Sequence, residues 1–222
     1  MADSSALDSF LDKWRERWPE WQVAEIFVPT NLRELSVAWF ALLQEFEDAM
    51  NIPGDPTPAD AKLGWWAEEL RDWDRRRSRH PLGRLLEPRA APWTALADAL
   101  PVLKALREPW PDATVAFERV RPLAKAIAGV EAALFGSQPA DEAVEAIAAQ
   151  WLAARVMGGD RAAGALATIL RRWPARTTDA LPRRLWATYA RKRVEATQVP
   201  DATPRRISRL RLLWLAWTAA RG

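Results

Sequence analysis

Apolar positions recur along this chain at intervals of three and four residues almost from end to end, the spacing of one face of an α-helix. Leu7, Phe10, Leu11, Trp14 and Trp18 form a first stripe, which Pro19 is expected to stop. Leu32, Leu35, Trp39, Leu42, Leu43, Phe46 and Met50 form a second and longer one. In the loop NIPGDPTP that follows, Thr57 reads as an N-cap and Pro58 as a first-turn proline. Leu63, Trp66, Leu70 and Trp73 then supply the buried face of a third helix. Further helices are predicted over residues 94–107, 112–135, 140–157, 161–173, 181–194 and 204–220, with Pro101 and Pro122 placed to kink or break two of them. No run alternates with the period of two that a strand requires. The pattern therefore predicts an all-α, single-domain helical bundle of about eight to ten helices, since no Gly/Ser linker or shift in hydrophobicity divides residues 1–222.

Composition narrows the chemistry. The chain has no cysteine, which removes disulfides and thiolate metal sites and is compatible with a reducing compartment. Its one histidine, His80, rules out a multi-histidine metal site. No P-loop or G-x-G-x-x-G is present, so a nucleotide site has no anchor. The opening MADSSALDSF lacks a basic n-region and an apolar core, and the longest apolar runs fall well short of the roughly 18 residues of a membrane span. The expected location is cytoplasmic, free or peripheral at a membrane. Fourteen tryptophans, nearly all at helical positions, read as core packing, with a cation–π surface for a bound cation as the other reading.

The stretch from Lys62 to Leu86, KLGWWAEELRDWDRRRSRHPLGRLL, joins a Trp-bearing amphipathic helix to a basic loop and a His-Pro restart. It resembles the K-L-x-W-W-x-E-E-L … H-P-x-x-x-x-L signature of the squalene/phytoene synthase family. Residues 117–136, FERVRPLAKAIAGVEAALFG, resemble that family's central helix, and Leu181-Pro182 its L-P after the second acidic motif. The resemblance is strongest over residues 18–157. It implies a bundle of the isoprenoid synthase type, in which the signature is scaffold and two aspartate-rich helices hold Mg²⁺ against a prenyl diphosphate.

Those helices are altered here. Where the family carries Y-x-x-x-R-x-x-D-x-x-x-D, this chain places Phe40 at the Tyr, Gln44 at the Arg, Glu47 at the first Asp and Asn51 at the second. Two carboxylates at i and i+4 share a helix face and can hold a hard cation. Glu47 with Asn51 keeps one of the two charges, Asp48 lies about 100° round the helix, and Gln44 lacks a guanidinium to fork onto phosphate. If the site is active, its Mg²⁺ site is an altered one built from Glu47, Asp48 and a further, unidentified ligand, with Phe40 and Gln44 at the positions of substrate contact; otherwise the two acids are solvated charges. Near the second motif, residues 146–160 retain Gln150 and Arg155 but no carboxylate pair, and Asp160 reads as the N-cap of the next helix. Asp141 and Glu145 have i, i+4 spacing but sit at a helix start, where acids suit the dipole. Trp39, Trp66 and Trp151 are candidates to fill the space that an enzyme leaves open for prenyl chains.

Charge is segregated. Residues 1–170 carry 19 Lys/Arg against 26 Asp/Glu, whereas residues 171–222 carry 13 against 3. The basic end can attract an anionic membrane, a diphosphate or an acidic partner. Its last helix, residues 204–220, combines Arg205, Arg206, Arg209 and Arg211 with Leu213, Trp214 and Trp217. Either it packs into the bundle with its arginines solvated, or it lies in a membrane interface. No nucleic-acid-binding signature accompanies it. Three functions follow: a synthase-like protein that has lost Mg²⁺-dependent prenyl transfer and serves as a binding or assembly factor for a protein partner or a prenyl lipid; a divergent, Mg²⁺-dependent prenyltransferase; or a peripheral protein on anionic lipid.

Overall fold

In a computed structural model of the protein, residues 2–138, 140–159, 163–176, 180–198 and 207–221 are described, and they are helical with no strand among them. The helices are α1 (Ala2–Arg17), α2 (Trp21–Ala24), α3 (Thr30–Met50), α4 (Thr57–Asp74), α5 (Gly83–Leu86), α6 (Trp93–Ala99), α7 (Pro101–Ala105), α8 (Ala113–Phe135), α9 (Asp141–Met157), α10 (Ala163–Arg172), α11 (Leu181–Thr197) and α12 (Arg209–Ala220). No helix among the described residues is long and apolar enough to cross a membrane.

α3 is the axis. Every residue from Leu35 to Phe46 is buried, as befits a helix surrounded on all sides. α1, α4 and α9 pack around it, and α8 pairs with α9 as a helical hairpin. That hairpin turns at Gly136, whose φ of 69° is left-handed, and the N–H groups of Gly136 and Ser137 both donate to Ala132 O. Glycine accepts this conformation without the Cβ penalty.

The proline expectations divide. The predicted helix over 94–107 breaks at Leu100, giving α6 and α7 with Pro101 in the first turn of the second. α8 runs through Pro122, leaving the Glu118 carbonyl without its helical donor. Asp112 caps α8 by accepting from Val115 N at 3.0 Å. At α4 the cap differs from expectation: Thr57 is already helical, and Asp55 accepts from Thr57 N at 2.9 Å and Thr57 Oγ1 at 2.7 Å. Asp55 has the short side-chain oxygen two residues ahead of the orphan N–H that such a turn uses. α12 begins at Arg209, after Ile207 and Ser208, which are not helical; the predicted start of α10 and Asp160 lie outside the described residues.

Ten of the fourteen tryptophans are buried, which favours the packing reading of the Trp stripes. Trp14, Trp18, Trp21, Phe40 and Trp186 form one aromatic cluster, with Phe40 and Trp186 centroids 4.3 Å apart. Trp39, Trp93, Trp73 and Trp66 form a second, joined by Phe46. Trp39, Trp66 and Trp151 are all buried. Trp39 donates its indole N–H to Glu131 at 2.7 Å, and the guanidinium of Arg183 lies fully buried between Glu131 and Gln150 Oε1. Polar side chains thus fill the space where α3, α8, α9 and α11 meet.

The Lys62–Leu86 signature is a folding device. Lys62 pairs with Glu45 of α3 at 2.6 Å, and Lys13 of α1 reaches the same carboxylate at 3.2 Å. Fully buried Glu69 gathers the loop after α4 by accepting from Trp73, Ser78, Arg79 and His80. Gly83 is required, because a Cβ there would stand 1.8 Å from Ser78 Oγ. His80 packs against Phe10 and Trp66 at 4.6 and 4.5 Å, and its Nδ1 accepts from Leu82 N at 3.2 Å.

Burial lowers the His80 pKa to about 4 from its ordinary 6.5, outweighing the nearby carboxylates of Glu45 and Glu69. The folded chain then resists a proton that the unfolded chain accepts, so His80's contribution to stability is intact above about pH 6.5 and is lost as pH falls toward 4. Thermal melts between pH 7.5 and 5 should show a falling Tm, and His80→Gln should flatten that slope; parallel slopes in the two proteins would contradict the assignment.

Candidate functional site

A crevice of about 290 Å³ opens between the end of α1, the C-terminal half of α3, α9 and α11. Its floor and walls include Glu47 and Asn51 from α3, Gln150 from α9, Arg193 from α11, and Arg17 and Trp18 at the end of α1. The i, i+4 spacing of Glu47 and Asn51 puts both on one face of α3, as their helical register requires.

Among the described residues, Glu47 is the one carboxylate lining the crevice. Burial pushes its pKa above the ordinary carboxylate value, opposed by the charge of Arg17, whose Nη2 stands 3.6 Å away. A titratable group shifted by desolvation inside a cleft is where binding or proton chemistry is expected. Arg17 also donates to Asp48 at 2.8 Å, so Asp48 is tied to the rim beside Glu47. Gln44 accepts from Trp18 Nε1 at 3.4 Å and donates to Asp48 at 3.1 Å. Phe40 lies one turn deeper, fully buried among Trp14, Trp21 and Trp186, and does not line the crevice.

The amides are structural. Asn51 donates to Ala154 O at 3.3 Å and accepts from Arg155 at 3.4 Å. A Cβ at Gly158 would come within 2.7 Å of Asn51 Cγ, so α3 and α9 interlock at this point. Gln150 accepts from Arg183 at 3.0 Å. Opposite them Arg193 stacks its guanidinium 3.8 Å from the Trp18 ring centroid, donates to Glu20 at 3.0 Å, and reaches Arg17 O at 2.8 Å. Both guanidiniums of the wall are already paired, Arg17 with Glu47 and Asp48 and Arg193 with Glu20, and among the described residues no second carboxylate lines the wall to hold a divalent cation with Glu47.

Among the described residues no group of three or more His, Asp or Glu side chains is placed to hold a metal ion. Glu145 of α9 faces away from the crevice and pairs with Arg172 at 2.7 Å and Arg121 at 3.8 Å, while Asp141 stands in the first turn of its helix. Arg209 and Arg211 are exposed on α12, and Arg205 and Arg206 lie outside the described residues. Reading the sequence did not find Arg17 or Arg193. They are 176 residues apart and meet only through the packing of α1 on α11, so no local spacing announces them. Comparison with protein-family models, curated proteins and solved structures finds no match.

Proposed function

We propose that the protein is a squalene/phytoene synthase-like bundle that has lost Mg²⁺-dependent prenyl transfer and works as a binding or assembly factor. The observation that carries this reading is the lining of the α3–α9 crevice. Where two acidic helices of a synthase would face each other, α3 supplies Glu47 and Asn51, and α9 supplies Gln150 and Ala154. Mg²⁺ demands hard oxygen ligands and retains its waters, so it needs carboxylates from both sides to be held against a diphosphate. Here the opposing side brings carboxamide and methyl groups, and Arg17 stands between Glu47 and Asp48. What remains is a small polar recess whose charges are already paired, suited to a polar group of a ligand or partner rather than to ionising a substrate.

Purified protein incubated with farnesyl or geranylgeranyl diphosphate should release no diphosphate above background, with or without Mg²⁺. Metal-dependent release that disappears in Glu47→Gln would overturn the reading and establish a divergent prenyltransferase.

A further inference from the structure

We propose that α12 and the basic cavity beside it form a seat for the phosphate headgroup of an anionic lipid, with the outer face of α12 lying in the membrane interface. This surface is separate from the crevice of Glu47 and does not depend on the reading given to that crevice.

α12 is held to the bundle on one side only. Leu212, Leu215 and Ala216 are buried against it, and Tyr189 Oη of α11 donates to Leu212 O at 3.1 Å. At about 100° per residue, Leu210, Trp214, Trp217 and Arg221 fall on the opposite side, within about 60° of one another. Leu210 is 79% exposed, Trp214 61% and Trp217 43%. In a chain that buries ten of its fourteen tryptophans, two indoles side by side in solvent call for an occupant. Arg209 and Arg211 stand on opposite flanks of this stripe, and Arg221 stacks 3.8 Å from the Trp217 ring centroid.

Beside the stripe lies a cavity of about 350 Å³ between α11, α12 and the turn at 173–176. Among the described residues Arg176, Arg184, Arg191 and Lys192 line it, with Glu195 as the one acid and Trp214 in its wall. Arg191 and Lys192 both reach Glu195, so the lining keeps a surplus of three positive charges. Arg184 donates to Ala220 O at 3.4 Å. The cationic surplus of the recess favours an anion, and phosphate oxygens match guanidinium groups in charge and geometry.

The shared wall decides the source of that phosphate. A phosphate held by Arg176 and Lys192 lies next to Trp214, so the rest of its molecule leaves over an exposed apolar stripe. Bilayer interfaces accommodate indole rings and arginines together, and anionic headgroups supply the charge that the recess lacks. A soluble phosphate ester would use the recess and leave the stripe in water.

The test is co-sedimentation with phosphatidylcholine vesicles, alone or containing phosphatidylglycerol, using the full chain. Binding should require the anionic lipid and weaken as salt rises. The pair Arg176→Ser with Lys192→Ser, and separately Trp214→Ser with Trp217→Ser, should each reduce binding at least tenfold while leaving the Tm within about 2 °C, since Arg176, Trp214 and Trp217 are exposed and surface changes cost little. The proposal is overturned if folded protein ignores anionic vesicles or if either variant pair binds as the parent does. It is likewise overturned if inorganic phosphate or glycerol phosphate raises the Tm of a protein that does not bind vesicles, which would make the recess a site for soluble phosphate.

Discussion

Replacing Glu131 with leucine is expected to destabilise the protein by about 3–5 kcal/mol, the usual cost of stranding one member of a buried ion pair. Arg183 is fully buried, and Glu131 takes both its Nε and Nη2 donors while also accepting from Trp39. Without Glu131 the guanidinium keeps Gln150 Oε1 and the faces of Trp186 and Phe40, at 4.7 and 5.5 Å. These compensate a buried cation poorly. For a domain of this size each kcal/mol moves Tm by roughly 2–4 °C, so a drop on the order of 6–20 °C is expected in a thermal melt. Arg183→Met alone should cost a comparable amount, because it leaves a buried carboxylate. Combining the two should recover most of the loss, since replacing both partners by apolar groups is often near neutral. Additive losses in the double variant would show that the pair is not the unit described.

The pair also marks where the sequence stops being readable. Periodicity located α1, α3, α4, α8, α9 and α11 because each repeats apolar residues at intervals of three and four over a bounded length. The break at Pro101 was legible because a proline acts within a few residues of itself. Glu131 and Arg183 sit in stretches that read as an ordinary amphipathic helix, and their meeting is a property of how α8 and α11 pack across 52 residues. The same reason hides Arg17 and Arg193. At α3 the sequence singled out Glu47, Gln44 and Asp48; in the structure Glu47 lines the crevice, while Asp48 and the buried Gln44 bond to each other beside it, Asp48 also holding Arg17. Phe40 shares their helix, but the close packing of α2 and α11 against α3 closes its side chain into the aromatic core. For α12, the structure bears out that one face packs into the bundle. The Leu212–Leu215–Ala216 face packs inward, while Leu210, Trp214 and Trp217 remain outside.

The two neighbouring glutamates of the signature should differ sharply. Glu69→Ala is expected to cost roughly 3–5 kcal/mol, because it removes the shared acceptor of several buried donors, each of which carries a desolvation penalty when left bare. Glu68→Ala, one residue earlier on the exposed side of α4, should change stability by less than about 0.5 kcal/mol. Burial works against the charge on Glu69, yet the N–H groups of Arg79 and His80, the Trp73 indole and the Arg79 side chain together hold its carboxyl below the ordinary carboxylate range. The sign for pH follows from that depression. Glu69's contribution is present above its unfolded value of 4.5 and is lost as pH falls through the lower folded value. His80 loses its contribution in the range above, from about 6.5 toward 4, so acid should weaken the signature loop in two stages. Urea melts of the two alanine variants, with hydrogen exchange at the Arg79 and His80 amides, check the account. Glu69→Ala should lower the midpoint and speed exchange at both amides, while Glu68→Ala leaves them protected. Equal effects from the two substitutions would remove the argument that the signature's second glutamate holds the loop, and with it the physical reason for reading this segment as scaffold rather than as a site.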